Sequence, residues 1–93
     1  VKTRYTSRAS GELNLAVAWY ELQQQGLGLD FLDCVDASLA RIRRSPEIYP
    51  IVQSALRRCV VDRFPFSIYF EIEKKEIVIH AIFDNRRDSR ERP

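Results

Sequence analysis

The hydrophobic positions of this chain change period once, near Arg57, dividing it into a helical half and a strand half. In the first half Leu13, Ala16, Val17 and Tyr20 recur at helical spacing, with Trp19 on their flank. Phe31, Leu32, Val35, Leu39 and Ile42 then form a second helical stripe. Lys2–Tyr5, ahead of both, reads as a short strand, and Ser7 is placed to cap the first helix through its hydroxyl. Gly26 and Gly28 are expected to stop that helix, because glycine tolerates the left-handed C-terminal conformation. The second helix carries Asp30, Asp33 and Asp36 near its start and Arg41, Arg43 and Arg44 at its end, an order that complements the helix dipole. Ser45 and Pro46 end it. So short a link between the helices predicts an antiparallel helical hairpin.

Beyond the rigid loop Pro46–Pro50, where Ile48 and Tyr49 are expected to plug the core, the period becomes two. Phe66, Ile68, Phe70 and Ile72 share one strand face, and Ser67, Tyr69 and Glu71 the other. The polar run Glu73–Lys74–Lys75–Glu76 makes a hairpin turn. In the last strand Ile77, Ile79, Ala81 and Phe83 alternate with Val78, His80 and Ile82; with both faces fairly apolar, it belongs inside the sheet. The predicted order is β-α-α-β-β-β, an α+β domain with an antiparallel sheet and a helical hairpin packed on one face. One such domain spans residues 1–88, and residues 89–93 form a charged tail that is not expected to fold unaided.

Composition narrows the function only slightly. A length of 93 residues, 45% hydrophobic and 30% charged, fits one ordinary globular domain. The excess of 15 basic over 13 acidic side chains is too small to announce a nucleic-acid binder by bulk charge. No apolar run approaches the ~18–20 residues that span a bilayer, and no signal peptide is visible, so the cytoplasm is the default location. The chain starts at Val1 and holds no Met, so an initiator residue is expected ahead of this numbering. Cys34 and Cys59 lack any paired spacing and are expected to be buried, reduced thiols.

Most catalytic templates are absent. Three scattered glycines make no phosphate-cradling loop. A single histidine, His80, argues against a histidine-based metal site, so neither metal nor cofactor is expected. What stands out is arginine: Arg57, Arg58 and Arg63 on or beside one strand, with Arg86 and Arg87 following the last. Guanidinium groups converging from two strands suit a phosphate or carboxylate clamp. Tyr69, on the face away from the core stripe, can stack on a base or pack across strands.

The runs VAWYELQQQGLGLDFLDCVDASLARIRRSPEIYP, RRCVVDRFPFSIYFEI and IVIHAIFDNRRD together resemble the RelE/ParE superfamily of bacterial toxins, the toxin halves of type II toxin–antitoxin modules, often labelled plasmid stabilisation proteins. The resemblance spans about Tyr5 to Asp88. It implies the same element order and a cognate antitoxin that wraps and neutralises the toxin, with no membrane and no small-molecule substrate. RelE-like members cleave mRNA on the ribosome; ParE-like members poison DNA gyrase. RNA cleavage needs a base, an acid and cations. Arginine supplies only the cations. The chain has no lysine between Lys2 and Lys74 and no Tyr or His after His80. Asp84 stands where many ParE-like sequences have a histidine.

The favoured expectation is therefore a ParE-like toxin that acts on gyrase and is not an enzyme. The alternative is an mRNA interferase, an endoribonuclease using Arg63, Tyr69, His80, Arg86 and Arg87; a degenerate orphan is the third possibility. Target contact is assigned to Arg57, Arg58, Arg63, Tyr69, Arg86 and Arg87. Antitoxin contact is assigned to Trp19, Tyr20, Leu27 and Phe31 on the helical hairpin, and an exposed sheet edge is a second suitable surface.

Overall fold

A computed structural model describes all residues, Val1–Pro93. Strand β1 (Lys2–Tyr5) leads into helices α1 (Ser7–Gln23) and α2 (Leu27–Arg44), followed by β2 (Ile51–Gln53), β3 (Leu56–Val60), β4 (Phe66–Glu73) and β5 (Glu76–Asp84). The expected β-α-α-β-β-β order holds, with the short β2 as an addition. The strands form one sheet in the order β1-β5-β4-β3-β2. It is mixed: β1 runs parallel to β5, and the other neighbours are antiparallel. The last strand sits inside the sheet, between β1 and β4, as its two apolar faces require.

The cap of α1 is Thr6, not Ser7: the Thr6 hydroxyl accepts a bond from the Ala9 amide at 3.2 Å. The helix ends at Gln23, ahead of both glycines, which instead build the start of α2. Gly26 takes a left-handed φ of 89° in the link. Gly28 lies within α2, where a Cβ would stand 2.6 Å from the Val17 carbonyl oxygen, so a bare backbone lets the two helices meet. Glu21 completes the junction. Its carboxylate accepts from the Gly26 amide at 2.9 Å and the Gly28 amide at 3.0 Å, pairing free donors at the positive end of α2.

The hairpin covers one face of the sheet. Phe31, Val35, Leu39 and Ile42 from α2 and Ala9, Ala16 and Tyr20 from α1 pack on Phe66, Ile68 and Phe70. An aromatic cluster of Tyr20, Phe31, Phe64 and Phe66, with ring centroids 4.9–6.1 Å apart, holds the linked end of the hairpin to the sheet. Tyr49 joins this core, stacking edgewise on Phe70 at 5.9 Å. Ile48 does not: it is 73% exposed, because Pro46–Ile48 forms a single 3-10 turn that points it outward.

Strict alternation fails once in β5. Tyr69 pairs with Ala81 but Phe70 with Ile79, so His80 is an extra residue, a β-bulge. Ile77, Ile79 and Ile82 therefore face the helices, while Ala81 and Phe83 join Tyr69 in a small cluster on the opposite face. The tail is drawn into one 3-10 turn, Ser89–Glu91, capped where the Asp88 carboxylate accepts from the Arg90 amide at 2.9 Å.

Candidate functional site

Helix α1 is apolar on two sides. One buries Ala9, Ala16 and Tyr20; the other leaves Leu15, Trp19 and Leu22 exposed at 74%, 49% and 85%. Their i, i+4, i+7 spacing makes a continuous stripe turned to solvent. Beside it, β5 is only half covered. Strand β1 pairs with Glu76–Ile79 and stops, because the chain turns into α1. The Thr6 hydroxyl donates to the His80 carbonyl at 3.4 Å, and the Ile82 amide donates to the Glu12 carboxylate at 2.9 Å. Side chains thus stand in where a neighbouring strand would bond.

Between the helix stripe and this open edge runs a groove of about 600 Å³, with Trp19, Tyr20 and Ile82 among its walls and Asp84, Arg86 and Arg87 at one end. A larger depression, about 830 Å³, lies between the first residues and the β4–β5 turn, but Val1 is its single apolar residue. It offers no apolar anchor for a partner.

Arg86 is fixed at the groove's end by Asp84. One carboxylate oxygen accepts from the Arg86 amide and from Nε, each at 2.9 Å, and the other from the guanidinium at 2.8 Å. These bonds hold the Asp84 carboxyl below the usual carboxylate range, and they set the guanidinium 5.9 Å over the Trp19 ring. Burial pushes the Tyr20 phenol up, with Arg86 opposing that shift. Arg87 turns the other way, pairing with Glu91 and lying 5.7 Å over Phe83.

The groove unites residues that the sequence assigns to different partners, Trp19 and Tyr20 with Arg86 and Arg87. Other assignments are corrected. Phe31 is fully buried and belongs to the core; Tyr20 is 7% exposed and presents only an edge. Leu27 is half-buried against that core. Tyr69 is buried against Phe83 and is a packing partner with no free ring face to stack on. Arg57 holds the Pro46–Pro50 loop, donating to the Tyr49 carbonyl at 2.8 Å and the Glu47 carbonyl at 3.1 Å. Arg63, at a left-handed φ of 71°, lies over Phe64 with its guanidinium 3.9 Å from the Cys34 sulfur.

Arg58 differs from these. It donates to the Ser67 hydroxyl at 3.0 Å and the Asn85 side-chain oxygen at 3.5 Å, and Ser67 in turn donates to Asn85 at 2.9 Å. Its partners are neutral, so its charge remains available to an anionic group in a basin of about 450 Å³ shared with Arg90 and Arg92. The five residues proposed for RNA cleavage are not gathered. His80 pairs with Glu71 on the outward face, Arg63 lies by Cys34 of α2, and Arg86 stands against α1. Both cysteines are free thiols; Cys59 is buried, which pushes its thiol pKa up, and Cys34 is half-exposed.

Leu15, Leu22, Glu12 and Asp84 went unassigned by sequence reasoning. The spacing of Leu15, Trp19 and Leu22 is a readable signal of a second apolar stripe. Glu12 carries none, because its role depends on where β1 ends.

No family model matches the chain, and no curated protein does. Among solved structures, a chain of the chromosomal ParDE TA system from P. aeruginosa superposes with a TM-score of 0.79, covering 90% of this chain and 95% of that one at 19% identity. The two chains share a fold. That fold is the one implied by the RelE/ParE resemblance of the sequence. No helix is long and apolar enough to cross a membrane.

Proposed function

We propose that this chain is the toxin of a type II toxin–antitoxin pair, of the ParE kind, acting in the cytoplasm and neutralised by an antitoxin seated in the α1–β5 groove. The groove carries the proposal: an exposed apolar helix stripe beside an open strand edge, on a fold shared with a ParDE system. An amphipathic helix can lie on Leu15, Trp19 and Leu22, and an extended segment can pair with the β5 edge in place of Glu12. The target in this proposal is DNA gyrase, met through a docking surface that includes Arg58 and the Arg86–Arg87 end. Dispersal of the five candidate ribonuclease residues speaks for docking over RNA cleavage.

Expression without antitoxin is expected to arrest growth and induce DNA damage, and the purified protein to inhibit gyrase supercoiling. Specific mRNA cuts with unimpaired gyrase would sink the gyrase reading. Arg86→Ala/Arg87→Ala is expected to lose toxicity with the fold intact. Trp19→Glu is expected to stay toxic but escape neutralisation; a variant still neutralised by the antitoxin encoded beside it would remove the groove from the proposal.

A further inference from the structure

The outward face of the sheet carries a cluster apart from the groove. Glu71 and Glu73 stand two residues apart on β4 and so project from one face. On β5 the bulge leaves His80 without a partner residue across the ladder and turns its imidazole toward β4. There Nε2 lies 3.1 Å from a Glu71 carboxylate oxygen. One donor atom from each of Glu71, Glu73 and His80 lies within 4.8 Å of the others.

We propose that these three residues bind a borderline first-row divalent cation of the zinc class. The imidazole separates the cluster from a patch of surface carboxylates, because a neutral ring nitrogen is a ligand that magnesium and calcium seldom use and zinc prefers. One nitrogen and two oxygens make a three-ligand set that leaves a fourth tetrahedral position to water. An ion at ~2.0–2.2 Å from each donor needs them roughly 3.3 Å apart, so the cluster must contract. Glu71 and His80 already stand at that spacing. Glu73, the most exposed of the three, has the freedom to swing in.

Arg4 is the competing partner. Its guanidinium approaches Glu73 at 3.9 Å and Glu76 at 3.2 Å. Exposed pairs of this kind are weak, and Arg4 keeps the closer carboxylate when the ion takes Glu73. The bound ion then ties β4 to β5 next to their turn and stabilises the folded chain by linkage.

The test is a calorimetric and thermal-unfolding titration of the full chain with zinc chloride alone, magnesium chloride being the control. Zinc is expected to bind one-to-one and raise Tm, and magnesium to do neither. His80→Ala and Glu71→Gln are each expected to weaken zinc by ~10-fold or more while keeping the metal-free circular dichroism spectrum. Arg4→Ala is expected to tighten it, and Cys34→Ser to leave it unchanged. Absence of one-to-one binding, undiminished binding by both His80→Ala and Glu71→Gln, or loss of binding in Cys34→Ser would overturn the site.

Discussion

The face of the sheet that meets the helices and the face turned away from them alternate along the same strands, yet they are built on different scales. Sixteen buried residues form the helix-side core, whereas Tyr69, Ala81 and Phe83 are the three that make the outward cluster. Stability therefore resides on one face, and the other is left to polar and charged groups: Arg58 with Ser67 and Asn85, and His80 with Glu71. The arginines of the sheet differ in which face they stand on and in what holds them. Arg87 is paired with the Glu91 carboxylate, whereas Arg58, level with Tyr69, has only neutral side-chain partners; Arg57, level with Phe70, lies on the helix side and is held by two loop carbonyls.

The helix-side core is expected to carry the larger share of the stability. Phe31→Ala removes a fully buried ring from the aromatic cluster, and a loss of ~3–5 kcal/mol is expected in urea unfolding. For a domain of this size such a loss is a large share of the total stability. A loss below ~1 kcal/mol would mean that the cluster refills the cavity and that the two faces are closer in weight. Gly28→Ala tests the same face at the helix junction. Its Cβ would lie 2.6 Å from a backbone oxygen, which cannot rotate away, so α1 and α2 must separate. A loss of about 1–3 kcal/mol is expected by the same measurement.

The rim between the faces should matter less. Asp84 has its folded pKa depressed below 3.8, chiefly by the hydrogen bonds from Arg86. A depressed folded pKa means that the unfolded chain takes up the proton first. The contribution of the pair is full above the unfolded value and is lost as pH falls below 3.8 through the folded one. Because Arg86 is half in water, the pair is expected to supply at most ~1 kcal/mol. Asp84→Asn should flatten that acid limb of the stability profile; an unchanged limb would assign the acid loss to other carboxylates.

The helical half was legible because its signals are local. Two apolar stripes, a short link and a Ser-Pro stop suffice to predict the hairpin, and the acidic start and basic end of α2 follow from its sequence. Misplaced details were those set by tertiary contact. Gly28 is needed for helix approach, and nothing in its neighbours separates that from a helix stop. The bulge at His80 has no glycine or proline to mark it, so alternation alone sent Ala81, Ile82 and Phe83 to the wrong faces. The candidate site was half legible: Trp19 and Arg86 stand out in the sequence for different expected partners, and only the fold shows that a guanidinium held by Asp84 lies on the indole. The arginines of β3 could not be sorted at all, since the carbonyls that hold Arg57 belong to a loop with no pattern of its own.

The smallest expected effect is the most discriminating one for the outward face. Tyr69 stands on β4 between Ser67 and Glu71, where a phenol within reach of a phosphate would serve RNA cleavage. Its ring is instead packed edgewise on Phe83 at 6.1 Å. If the ring is there to pack, Tyr69→Phe keeps everything that matters and changes stability by less than ~0.5 kcal/mol. Toxicity in the unpartnered strain should then equal that of the parent chain. Loss of toxicity at unchanged stability would give the hydroxyl a chemical task and return the outward face to the ribonuclease alternative. Tyr69→Ala cannot make that distinction, because it removes the ring of the outward cluster together with the hydroxyl.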